Sequence, residues 1–332
     1  MKAWGYFNAH QLGEFAIKEM PVPDPAAGDG DLLVRIHAVS VNPVDYKIRR
    51  SRSSTTVHPV ILGWDAVGEV VKAGAKVRGF QPGDQVYYAG DLMRDGVNAE
   101  LHAVDHRLVA RKPERLSVVE SAALPLVSLT AWEALLEERQ HAYHESTTIL
   151  IIGGAGGVGS IAIQLLKANT SAKVIATASR PETRVWCETM GADLVLDHSK
   201  DLREELKRHG IAEVDTVFGI THSQDYLRML PDIIRPFGRF VLIDDPGVVD
   251  IANFKRKSIT VSWELMFTKS LFGYKPETQG QTLAEVAGLA DAGRLKPIVR
   301  TVLTGLSPEN LRSAHTMLES ATTIGKIVIE CR

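Results

Sequence analysis

Cysteine is nearly absent from the 332-residue chain, which has only Cys187 and Cys331. Two thiols build neither a disulfide framework nor a cysteine-rich zinc lobe. A dominant charge is missing too: 38 basic and 40 acidic side chains leave a formal net charge of −2. Nothing in that balance points to nucleic acid or an anionic membrane as partner. No apolar run approaches the ~20 residues of a membrane-spanning helix. Residues 1–10 lack the apolar core of a secretory leader, so the expected location is the cytoplasm. There is no low-complexity tract and no internal repeat. What remains is an ordinary globular balance, 45% hydrophobic and 23% charged, in a length that exceeds one core and fits two domains.

Turn signals at Gly28-Asp29-Gly30, Gly74 and Pro82-Gly83-Asp84 separate β-rich runs at 32–41, 66–71 and 85–90, which predicts a mostly antiparallel β domain. From Ser117 to Leu136 the pattern turns helical, interrupted at Leu124-Pro125. Strands are then predicted at 149–152, 173–177, 194–196, 215–218, 239–243 and 258–263, with helical stretches between most of them. That alternation marks an α/β chain with a doubly wound parallel sheet. A helix is predicted from Thr278 to Asp291, and another starts at Ser307-Pro308-Glu309. Residues 325–330 read as a final strand. The expected division is 1–124, 125–265 and 266–332, with the last segment returning to the first domain and the cofactor held in the cleft between domains.

The most specific stretch is Thr148–Lys167. A short apolar strand runs into five glycines, and Gly154, Gly156 and Gly159 fit G-x-G-x-x-G. Val158, Ile161, Ala162 and Leu165 then mark one helix face. Glycines allow the sharp turn, the approach of a pyrophosphate and close helix–sheet packing, while the helix start favours the phosphate charge. Gly154, Ala155, Gly156, Gly157, Val158 and Gly159 are therefore expected to hold a dinucleotide. NAD-binding sheets place an acid about 20 residues later for the ribose 2′-hydroxyl. Here the stretch reads Thr177-Ala178-Ser179-Arg180. Ser179, Arg180 and Arg184 suit a 2′-phosphate, so NADPH is expected over NADH. Ser179 to Glu182 also reads as a capping box, and the two readings stand together.

The stretches at 40–49, 61–71, 79–86, 124–135, 153–160, 192–198 and 325–329 carry a resemblance over essentially the whole chain. The sequence resembles the medium-chain dehydrogenase/reductase superfamily, in its zinc-free quinone oxidoreductase branch. That resemblance implies a GroES-like catalytic domain, a Rossmann domain, NADPH as hydride donor and frequently a homodimer, formed through the strand near Ile259 to Trp263. Zinc alcohol dehydrogenases carry a cysteine in the stretch matching Val41 to Asp45 and a histidine after the glycine matching Gly63. This chain has Asn42-Pro43 and Trp64 there. Asp65 alone does not make a zinc site, and His141 and His144 stand in a polar stretch without a third ligand. No metal is expected.

By the same resemblance, Lys47 is the expected proton donor near the nicotinamide ribose, with Tyr46 as runner-up. Asn42 and Asp45 either shape this loop or act as turn and helix cap. Thr130, with Leu124 and Pro125, matches the stretch lining the nicotinamide face. Ile220 and Ile243 sit at strand ends where ribose and nicotinamide lie. His198 replaces a usual tyrosine, and is either a 2′-phosphate contact or a surface residue. Lys326 is either near the cofactor or part of a turn. Trp64, Trp263, Met266 and Phe267 are pocket walls or core. Without a Lewis acid, easily reduced acceptors are expected: quinones and alkenes conjugated to a carbonyl. The rivals are a metal-independent aldehyde or ketone reductase, and a crystallin-like NADPH-binding protein with negligible turnover.

Overall fold

The computed structural model describes residues 1–137 and 143–331. The chain divides into two units. One comprises Met1–Leu129, Phe267–Gly293 and Pro297–Arg332; the other comprises Thr130–Met266 and Arg294–Lys296. Among the described residues no helix is long and apolar enough to cross a membrane.

The second unit is built on six parallel strands: Thr148–Ile152, Lys173–Thr177, Leu194–Leu196, Val214–Gly219, Ile234–Leu242 and Thr260–Trp263. Numbered by sequence, they lie in the order 3-2-1-4-5-6, that of a dinucleotide-binding sheet with its reversal beside the first strand. Ile149, Leu150 and Ile151 are fully buried, as expected of strands covered on both faces. Leu150, Ile175, Val217 and Phe240 join Leu206, Leu230 and Phe254 in one apolar cluster. The strand Thr260–Trp263 forms one edge and ends in Trp263, which is 59% exposed. Trp263 is thus not core, whereas Trp64, Met266 and Phe267 are buried.

The first unit carries a seven-stranded sheet around the long strand Asp31–Ser40. Ala66–Ala73 and Leu101–Asp105 flank that strand antiparallel. The final strand, Lys326–Glu330, pairs antiparallel with it too, Val328 opposite Ser40. Two predicted turns meet closely: a Cβ on Gly74 would lie 2.3 Å from the Asp29 carbonyl oxygen. The helix Pro43–Ser51 follows the long strand, with Asn42 at its N-cap and Pro43 in its first turn. Ser307 caps the helix Pro308–Glu319 by accepting the Asn310 N–H.

Two of this unit's buried histidines, His102 and His315, are held neutral. The His102 Nε2–H donates to the Asp95 carbonyl at 2.9 Å, and Tyr88 Oη–H donates to its Nδ1 at 3.0 Å. Arg49 Nη1 donates to His315 Nδ1 at 3.2 Å. Burial lowers His102 to about 4; burial, then the Arg49 charge, lowers His315 to about 3. Unfolded histidines titrate near ~6.5. The unfolded chain therefore takes up protons here first, and both groups withdraw stability as pH falls from ~6.5 towards 4. The expected outcome in NMR titration is that the His102 and His315 imidazole resonances hold their neutral positions at pH 5.5. Movement of either near pH 6.5 would refute this.

Candidate functional site

The glycine turn lies where the sequence places it, between the strand Thr148–Ile152 and the helix Gly157–Asn169. Its glycines meet different demands. Gly153 has φ +90°, and a Cβ on Gly154 would lie 2.7 Å from Ala176 Cβ. A Cβ on Gly159 would lie 2.4 Å from the Gly153 carbonyl oxygen and 2.6 Å from Gly154 Cα. Gly156 is open: its nearest neighbour would be Gly153 O at 3.8 Å. Gly154 and Gly159 thus pack the helix against the strand, while Gly156 leaves space over the helix start. Gly157, Val158 and Gly159 begin the helix, where N–H groups have no carbonyl one turn back. That start suits an anion.

Thr177 braces this turn. Its hydroxyl accepts the Gly153 N–H at 3.1 Å and its carbonyl accepts the Gly154 N–H at 3.2 Å. The residue is buried at the end of the second strand, holding the loop from below. Ser160 donates to the Gly156 carbonyl at 2.7 Å and accepts Trp186 Nε1–H at 2.8 Å; sequence reading missed this brace.

The capping-box reading of Ser179 is corrected. The helix Pro181–Met190 has Arg180 at its N-cap and Pro181 in its first turn. Proline's fixed φ suits that first position, which moves the cap one residue past Ser179. Arg180 pairs with Glu182 at 3.3 Å near the surface. Arg184 is committed to backbone, donating to Val195 O at 2.9 Å and Ala178 O at 3.4 Å. His198 is exposed just past the third strand. Ile220 and Ile243 are half-buried past the carboxyl ends of the fourth and fifth strands, with N–H groups donating to Ile152 O and Gly219 O. Thr130 is buried in the helix Pro125–Leu135.

In the first unit the helix Pro43–Ser51 carries Tyr46 and Lys47. Lys47 is exposed; Tyr46 is half-buried under the Arg50 guanidinium, 4.9 Å from its ring centre. Behind them is a closed polar network that the sequence did not reveal. Lys326 Nζ donates to Asn42 Oδ1 at 2.5 Å, Asp65 Oδ2 at 3.0 Å and Val41 O at 3.1 Å. Asn42 Nδ2 donates to the same Asp65 oxygen at 2.8 Å, and the Leu126 N–H donates to Asp65 Oδ1 at 2.7 Å. Asp45 accepts the N–H groups of Asn42 at 2.6 Å and Gly63 at 3.0 Å. Lys326 is 4% exposed and Asp65 not at all. Burial pushes Asp45 up to about 7, opposed by the Asn42 N–H and the Lys326 charge. Burial raises Asp65 as well, with Lys326 opposing most strongly.

A catalytic zinc does not fit this donor set. Asp65 and Asn42 already hold an ammonium group, Trp64 is buried against Phe267 with ring centres 6.3 Å apart, and among the described residues no third ligand joins them. No group of three histidine, cysteine, aspartate or glutamate side chains suited to a metal exists among the described residues. Of the two histidines in the polar stretch, His141 lies outside the described residues and His144 accepts the Ser146 hydroxyl at 2.9 Å.

Comparison with known proteins connects these features. Residues 28–114 match the alcohol dehydrogenase GroES-like domain, and residues 190–329 match the zinc-binding dehydrogenase family. A zinc-type alcohol dehydrogenase-like protein of Staphylococcus aureus is 39% identical over 99% of both chains. An NADPH-dependent alkenal/one oxidoreductase of Arabidopsis thaliana is 28% identical over 99% of this chain and 79% of its own. A crystal structure from Rhizobium etli, of a protein put forward as a zinc-dependent alcohol dehydrogenase, superposes with a TM-score of 0.97 at 45% identity. It covers 100% of this chain and 98% of its own. A GroES-like β unit and a 3-2-1-4-5-6 sheet, with whole-length relatives of this kind, make the chain a member of the medium-chain dehydrogenase/reductase superfamily.

Proposed function

We propose that this oxidoreductase uses NADPH to reduce quinones or α,β-unsaturated carbonyls, and does so without zinc. The observation carrying the metal-free reading is the donor set: Asn42 and Asp65 are bonded to Lys326, and Trp64 stands where the zinc enzymes have histidine. Gly156 to Gly159 would take the pyrophosphate, Ser179 and Arg180 the 2′-phosphate, and Ile220, Ile243 and Thr130 the nicotinamide end. When bound, the reduced nicotinamide supplies the hydride. The acceptor's oxygen gains negative charge and needs a hydrogen-bond donor, and the reduced product needs a proton. Lys47 supplies these, with Tyr46 beside it. Pairing of two copies through the exposed edge at Thr260–Trp263 would give a homodimer.

The test is oxidation of NADPH, with NADH in parallel and EDTA throughout, by benzoquinone, naphthoquinone, an alkenal, an enone and a plain aldehyde. Turnover of quinone or enone with NADPH preferred is expected. Reduction of the aldehyde alone would make the chain a carbonyl reductase. Binding of NADPH without turnover would make it a binding protein, and loss of activity in EDTA would refute metal independence. Lys47→Met should lower kcat about a hundredfold while leaving the NADPH Kd within about threefold, the general-acid share. Weakened NADPH binding at unchanged kcat would instead make Lys47 a ribose contact.

A further inference from the structure

We propose that Lys326 is a positioning residue: a fixed internal cation that, through Asp65 and Asn42, sets the start of the helix bearing Tyr46 and Lys47. Its catalytic consequence rests on the reductase reading above; its structural consequence does not. The ammonium has three N–H donors, and all three have acceptors, on Val41, Asn42 and Asp65. Those acceptors belong to segments far apart in the chain: Lys326 and Asn42 are 284 residues distant, Lys326 and Asp65 261. Asp65 also holds the Leu126 N–H at the start of the helix Pro125–Leu135. Asn42 is the N-cap of Pro43–Ser51, so its orientation determines how that helix begins. Asp45, one turn in, is tied to Gly63, whose φ of +105° and crowded Cβ position admit little but glycine.

In the zinc enzymes of the superfamily the segments matching 41–45 and 63–65 supply metal ligands. Here they close on a side-chain cation. A buried ion pair contributes little net stability compared with an apolar pair of similar shape, but it can select one arrangement among several. Lys326 does so at the base of the proton-donor helix.

Lys326→Met alone strands the Asp65 charge, so the informative variant is Lys326→Met/Asp65→Asn, which removes both charges. It should unfold cooperatively and bind NADPH within about threefold of wild type, yet lose about a hundredfold in kcat. Amides of Asp45 to Lys47 should exchange hydrogen about tenfold faster or more, while those of the parallel sheet keep their wild-type rates. Lys326→Arg keeps the charge but not the three bonds, and should lose about tenfold in kcat. Should the double variant not fold, Lys326→Arg decides. The proposal is overturned by a folded double variant with wild-type exchange at residues 45–47, or by either variant turning over at the wild-type rate. If wild type reduces no acceptor, the reductase reading fails by itself, and the exchange rates alone decide the role of Lys326.

Discussion

Gly156→Val is expected to leave the parallel-sheet unit folded and to weaken NADPH binding by about a hundredfold or more, some 3 kcal/mol. Gly156 has φ −73° and ψ 177°, which any residue adopts, and its Cβ would meet nothing closer than 3.8 Å. The added Cβ fits the free protein, and the side chain it carries would occupy space that a pyrophosphate needs to reach the helix N–H groups. Gly159→Ala is the contrasting control. Its methyl would press on Gly153 O and Gly154 Cα, both backbone atoms, so strand and helix must part, at a cost of about 1–3 kcal/mol or more. Thermal unfolding with fluorescence titration of NADPH separates the two. Gly156→Val with wild-type affinity would mean that the phosphates do not lie over this turn. Gly159→Ala with wild-type Tm would mean that the close packing is not needed.

Ser179→Asp/Arg180→Ile is expected to reverse cofactor preference, moving the ratio of NADPH to NADH affinity by about a thousandfold, or ~4 kcal/mol. A charge-assisted hydrogen bond contributes about 1.5–3 kcal/mol, so removing the Arg180 fork and setting a carboxylate against the 2′-phosphate reaches that total. The carboxylate would also accept the ribose 2′-hydroxyl of NADH, as in NAD-binding sheets. The helix beginning at Pro181 takes its cap at Arg180, so the exchange leaves Pro181 in place. Arg184→Met should behave differently. Its guanidinium holds the carbonyls of Ala178 and Val195, so its loss should lower Tm and leave the cofactor ratio nearly unchanged. A double variant that keeps its preference for NADPH would dissociate Arg180 from the 2′-phosphate.

The parallel sheet was legible because its strands are buried on both faces, making each an unbroken apolar run such as Ile149–Ile152 between turn signals. The glycine turn was legible because its demands are local: Gly154 and Gly159 each meet atoms of neighbouring elements that no side chain could share. Ser179 was misread because two start signals overlap by one residue, and the proline, with its fixed φ, determined the register. The Lys326 network was illegible for another reason. Nothing near Lys326 in sequence announces that it meets Asn42 and Asp65, since a buried polar contact follows no periodicity and depends on how strands 31–40 and 326–330 pair. Asp65 was weighed as a solitary metal ligand, although its partner was a cation supplied by the chain itself. The test of zinc independence and the role of Lys326 therefore turn on the same few atoms.

The exposed end of the edge strand has an optical consequence. Of the chain's five tryptophans, Trp4 and Trp64 are buried, Trp132 and Trp186 half-buried, and Trp263 exposed. Iodide, which stays in water, should therefore quench chiefly the red-shifted share of the emission that Trp263 contributes. If a second copy lays its own strand alongside Thr260–Trp263, that share should become shielded as protein concentration rises, and dilution should restore it. The native protein thus carries its own unlabelled gauge of association.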